Sequence, residues 1–198
     1  MFRGSILQFR EAAIEWSRGR NAFLRLPLLL WMLYALVRHL ANPEYQSIIK
    51  PLNLGIHELG HFVFAGLGET WGVTGGSILQ LLIPVLSIFM FLRQPDFFAI
   101  AFTLGWLSTN FFDVATYLGD AMEMTLPLVS PFGGENTIHD WNYLLTRMNL
   151  LEHCQAISNL VRFLGVLTML AGIVFGTWLL VHMWRTRGET PPLDIENF

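Results

Sequence analysis

The feature that most constrains this chain is a series of long apolar runs with almost no charge inside them. They cover residues 22–40, 52–68, 78–92, 97–118 and 160–184. A transmembrane helix needs about 20 mainly apolar residues, because a bilayer's hydrocarbon core is about 30 Å thick. Only 14% of the residues are charged and 53% are hydrophobic, where a soluble domain carries about 25% charged residues. Mean hydropathy is +0.47. The chain therefore reads as all-α: a polytopic helical membrane protein, one membrane domain over residues 1–198. The count of transmembrane helices is four to five, depending on whether the 52–68 run crosses or turns back part-way. A net charge of −3 without a basic tract excludes nucleic-acid binding as an organising function. The single cysteine, Cys154, excludes an internal disulfide.

The runs are flanked by segments of different character. In residues 1–21, Phe2, Ile6, Phe9, Ala13 and Trp16 recur at spacings of three and four, with charges on the other faces. That pattern predicts an amphipathic helix, lying at the membrane interface or packed on a partner subunit. No cleavable signal peptide is read there. Arg3, Arg10, Arg18, Arg20 and Arg25 place the N-terminus in the cytoplasm by the positive-inside rule. If residues 52–68 are re-entrant, Arg93, Arg185 and Arg187 join them on that side. If those residues span, the C-terminus lies outside. The bundle occupies 22–184, and 185–198, with Pro191-Pro192, reads as a flexible tail. Gly172 and Gly176 form a GxxxG, a close-packing surface for an internal neighbour or for another subunit.

Within the apolar 52–68 run lies His57-Glu58-Leu59-Gly60-His61, an HExxH. Residues four apart stand one above the other on a helix, so both imidazoles can grip one Zn²⁺, while the glutamate between them can act as a general base on water. Ionisable groups in lipid-grade sequence are expensive and mark function by default. The competing reading is two hydrogen-bonded histidines packed between helices. Pro51 suits the first turn of this helix. Gly68-Glu69-Thr70 and Gly75-Gly76 read as bracketing a tight connection, with Gly75-Gly76 allowing close approach of a neighbouring helix or of an extended peptide.

A third ligand has several candidates. Asn110, Asp113, Tyr117 and Asp120 share one face of the 97–118 helix, and such a stripe should face protein or a watery cavity. Asp113, the deepest carboxylate, is the first choice. Asn110 can bond a ligand carboxylate or a substrate backbone, and Asp120 stands near the helix end. The longest segment between runs, 121–155, is broken by Pro127, Pro131 and Gly133-Gly134. There, Asp140 can cap a helix running from Trp141 to His153, and His139 and Asp140 are the next candidates if this segment folds over the histidines. His39, His153 and His182 stand near span ends, where a histidine is ordinarily interfacial, although each can in principle hold a pigment or haem.

HELGH in an apolar helix, with a carboxylate on a later helix, resembles the intramembrane zinc metalloproteases of the site-2 protease type. The resemblance implies His57 and His61 as zinc ligands, Glu58 as the group that activates water, and an aspartate from a later membrane helix as the third ligand. In that family the aspartate sits in Asn-Pro-Asp-Gly or Leu-Asp-Gly, whereas Asp113 sits in Asn-Phe-Phe-Asp-Val. The expected function is zinc-dependent hydrolysis of a peptide bond in a transmembrane or juxtamembrane substrate. The expected partners are the lipid bilayer and that substrate. The alternative is a non-catalytic subunit of a larger membrane complex that docks through the N-terminal helix and the GxxxG. A metal site serving transport or sensing is a third possibility, which no sequence feature promotes.

Overall fold

The computed structural model describes residues 2–127 and 138–190. Pro131, Gly133, Gly134 and the Pro191-Pro192 part of the tail lie outside the described residues. The described residues form helices, with no strand among them. The helices are α1 (Phe2–Ser17), α2 (Leu26–Ala41), α3 (Lys50–Ala65), α4 (Glu69–Arg93), α5 (Phe97–Gly119), α6 (Asp140–Arg147) and α7 (Cys154–Arg185). A single 3₁₀ turn, Leu151–His153, leads into α7. Among the described residues, three helices are long and apolar enough to cross a membrane: α4, α5, and α7 with its preceding turn. The helix α2 is apolar but has 16 residues, which at 1.5 Å per residue reach about 24 Å.

Helix α5 is the central element. Its side chains are buried on nearly every face, including Phe112, Ala115 and Leu118. It runs antiparallel to α7, and small residues set the separation. A Cβ on Gly172 would stand 2.7 Å from the Ala101 carbonyl oxygen, and one on Gly165 3.2 Å from Phe111. Two buried hydroxyls tie the pair: Ser108 donates to the Gly165 carbonyl at 2.7 Å, and Ser158 to the Ala115 carbonyl at 2.6 Å. The GxxxG packs inside the chain, on α5 and on Met32 and Leu29 of α2.

Helix α2 runs parallel to α5: Met32 packs on Gly105, His39 stacks on Phe112 at 4.2 Å, and the Pro43 carbonyl accepts from Thr116. The chain then doubles back. Asn53 of α3 lies against Trp106, Thr109 and Asp113, in the middle of α5. From there α3 climbs beside α5 until His57 faces Tyr117. So α2 and α3 point the same way, and α3 starts at mid-bundle and ends where α5 ends.

Two sequence expectations shift at this level. Gly75-Gly76 is no loop. The turn after α3 is Gly66-Leu67-Gly68, closed by Gly68 at φ 103°, and α4 runs unbroken from Glu69 through both glycines. A Cβ on Gly60 would collide with the Gly75 carbonyl, so the glycines are where α3 and α4 touch. The helix expected over residues 141–153 is instead α6 plus a 3₁₀ turn, separated at Asn149, whose φ of 56° ends the helical path. Its cap is His139, whose Nδ1 accepts from the Asn142 N–H at 3.2 Å.

The C-terminal half of α1 is not free-lying. Ala13 and Trp16 are buried against Phe97, Phe98, Leu179 and Met183, and Phe9 meets Phe97 edge-on at 5.2 Å. Ile6 and Leu7 remain exposed.

Candidate metal centre

Packing α3 on α4 through glycine brings the imidazoles of His57 and His61 under Gly76. A Cβ there would stand 2.6 Å from His57 Nε2 and 2.7 Å from His61 Nε2. The missing side chain is the space the imidazoles occupy. One ligand atom from each of His57, Glu58 and His61 lies within 4.8 Å of the others, so the three can hold a metal ion.

Both outer ring nitrogens are held by acceptors. His57 Nδ1 lies 3.0 Å from Gln80 Oε1, and His61 Nδ1 lies 2.8 Å from the Gly72 carbonyl oxygen. An amide oxygen and a backbone carbonyl can only accept, so each Nδ1 carries the proton. In neutral imidazoles both Nε2 atoms are then bare lone pairs, and they face each other's neighbourhood. Asp140 Oδ2 lies 3.0 Å from His57 Nε2 and 3.3 Å from His61 Nε2. Three electron-rich atoms gathered in this way repel unless positive charge sits among them, either as protons on the rings or as a metal cation. Donation of the second ring N–H to a carbonyl is the usual support for a metal-bound histidine. The atoms present thus fit a cation such as Zn²⁺, which takes nitrogen and oxygen ligands.

Asp140 is the first residue of α6, and three contacts aim it. Its backbone N–H donates to the Tyr117 hydroxyl at 3.1 Å, Asn142 Nδ2 donates to the Ala121 carbonyl at 2.8 Å, and Arg147 reaches Thr70 of α4 at 2.9 Å as well as the Tyr143 hydroxyl. Burial pushes the Asp140 carboxyl up, and the two imidazoles beside it more than reverse this, holding it below the ordinary carboxylate range.

The other sequence candidates fall around this cluster. Asp113, the first choice, accepts from Asn53 Nδ2 at 2.7 Å, and Asn53 in turn accepts from the Trp106 indole at 2.8 Å. The stripe on α5 meets α3 one helical turn before His57, so Asp113 is matched with Asn53 while Asp140 stands at both histidines. Asn110 donates to the Trp106 carbonyl of its own helix. Asp120 accepts from the Thr125 hydroxyl at 2.6 Å and from the backbone N–H groups of Thr125 and Leu126. Burial raises its carboxyl, but these hydrogen bonds outweigh that and lower it. His139 is buried, with Nε2 3.4 Å from Asp120 and its ring 4.3 Å from Tyr117. Burial holds its imidazole below the usual range, against the pull of Asp120. Glu58 and His61 are the open members, while His57 and Asp140 are 7% and 6% exposed.

Gln80 and the Gly72 carbonyl are the supports that sequence reasoning did not assign. A lone amide in the apolar α4 run was a readable signal for Gln80. A backbone carbonyl leaves no signal at all.

The chain matches no protein-family model, no curated protein and no solved structure.

Proposed function

We propose that this protein is a membrane-embedded zinc-dependent peptidase of the kind its HELGH segment resembles, with His57, His61 and Asp140 as the metal ligands and Glu58 as the general base. One observation carries the reading: two histidine Nε2 atoms and one buried carboxylate oxygen converge while both Nδ1 protons are held elsewhere. When bound, the ion supplies Lewis acidity toward a scissile carbonyl and lowers the pKa of water from about 16 to about 7. Glu58 takes the proton of the attacking water and returns it to the leaving amine. Gln80 and Gly72 keep the imidazoles in the tautomer that turns Nε2 inward. Asp140 brings charge to the centre and ties α6 across it. The bundle is read as crossing the membrane with both α1 and the end of α7 on the cytoplasmic side, where Arg18, Arg20, Arg25, Arg93, Arg185 and Arg187 gather.

The test is metal content of the detergent-purified chain by mass spectrometry. One zinc per chain is expected in the wild type, lost in His57→Ala and kept in Glu58→Gln, with peptide hydrolysis lost in both. A well-folded wild type without metal, purified free of chelators, overturns the proposal.

A further inference from the structure

His61, the Gly72 carbonyl, Tyr117 and Asp140 lie at one end of the bundle, and His57 and Gln80 join them from further in, near the middle of α3 and of α4. His61 stands one turn before the end of α3 at Ala65, and His57 two turns before it. At 1.5 Å per residue these are about 6 and about 12 Å from the helix end. The Gly72 carbonyl belongs to the first turn of α4, which starts at Glu69. Tyr117 is two residues from the end of α5 at Gly119. Asp140 comes from α6, eight residues long, which lies across that end. The opposite end carries the arginines that close α1 and α7, open α2 and finish α4. Around the metal end stand the exposed carboxylates Glu44, Glu69, Glu123 and Glu152. On the open side, beside Glu58 and His61, the exposed surface is the apolar tip of the α3–α4 hairpin: Phe62, Leu67 and Trp71. The deep polar group, Asn53 with Asp113 and Trp106, is closed by its own hydrogen bonds and offers no second route from mid-bundle.

Building on the metallopeptidase reading, we infer that the site takes its substrate at the membrane surface opposite the arginine-rich end. The substrate class is a juxtamembrane segment on the non-cytoplasmic face, laid against the hairpin tip, and not a helix unwound at mid-bilayer. A peptide reaching Glu58 from that face crosses about two helical turns of depth, whereas from the arginine face it would have to pass the packed stretch of α4 from Arg93 back to Gln80 and most of α5.

Membrane vesicles of defined sidedness test this, with EDTA as an impermeant probe of the metal. Sidedness is scored by an impermeant maleimide on Glu123→Cys, at the metal end, and on Glu189→Cys, at the arginine end. Vesicles are treated with EDTA and washed, and the protein is then purified and its zinc measured. Zinc is expected to be lost where Glu123→Cys is labelled from outside and kept where Glu189→Cys is labelled. The opposite pattern overturns the inference. So does zinc kept in both preparations but stripped in detergent, because the site would then be sealed within the bilayer. A detergent-purified protein that never holds zinc overturns the metallopeptidase reading itself and is distinct from these outcomes.

Discussion

At the scale of single residues, the question is which carboxylate completes the histidine pair. Asp140→Ala is expected to remove zinc binding, because it takes away the one oxygen shared by both Nε2 atoms. Asp113→Ala is expected to keep the metal and to cost stability, since it leaves Asn53 Nδ2 without its short partner; a buried donor left unsatisfied costs about 1–3 kcal/mol. Metal content and thermal melting of the two variants separate the effects, and zinc lost only in Asp113→Ala would restore the sequence ranking. Gln80→Leu is expected to weaken zinc affinity by about 10- to 100-fold, the usual cost of losing an outer-shell partner, read by competition with a chelating dye. The histidine pair and Glu58 were legible because helical spacing alone puts i and i+4 on one face. Asp140 was legible only as one candidate among several. Nothing in spacing says which loop folds over a site, and Asp113 lies on a face that does reach α3, one turn away from the histidines.

At the scale of helices, glycine decides where α3 and α4 meet. Gly76→Ala places a methyl 2.6–2.7 Å from both Nε2 atoms, so zinc is expected to be lost while the helices persist by circular dichroism. Gly55→Ala is the control on the same helix: nothing lies within 4 Å of that Cβ, and the change is expected to stabilise α3 by about 0.5–1 kcal/mol. A drop in melting temperature for Gly55→Ala alone would contradict the described face of α3. Asp120 supplies a pH test for the turn that leads from α5 toward α6. Its carboxyl is lower in the folded chain than in the unfolded one, so its hydrogen bonds to Thr125 and Leu126 stabilise fully above the ordinary value near 3.9 and fade as pH falls through the folded value. Proteolysis of that turn is therefore expected to be flat from about pH 5 upward and to rise only below about pH 4. The α5 span was read almost residue for residue, because its ends carry Pro95-Asp96 and Gly119-Asp120. The start of α4 is not legible in the sequence, because paired glycines signal a turn in isolation, and only the partner helix shows why a helix keeps them.

At the scale of the whole molecule, α5 and α7 form the frame and the α3–α4 hairpin carries the histidine pair and its two supports. Gly172→Leu would drive a side chain into Ala101 and Met32, at a cost of about 1–3 kcal/mol for overpacking. It is expected to lower the melting temperature without changing the oligomeric state. A loss of subunit association with unchanged melting would return the GxxxG to an intermolecular role. The all-helical class was evident from composition; the doubling-back of the chain between α2 and α3 was not, because residues 42–49 carry no apolar period that tells a descent from a surface loop. The hairpin also fixes an order of events. His57, His61, Gly72 and Gln80 all lie within residues 57–80, whereas Asp140 follows α5 in the sequence. During synthesis the two imidazoles and their supports can be in place while the third oxygen is still unmade. On the proposed ligand set, a cation bound at that stage would be held by a half-built centre and would exchange freely. Tight retention would then begin only when α6 arrives over the finished bundle, and a slow metal off-rate would report that this chain has completed its assembly.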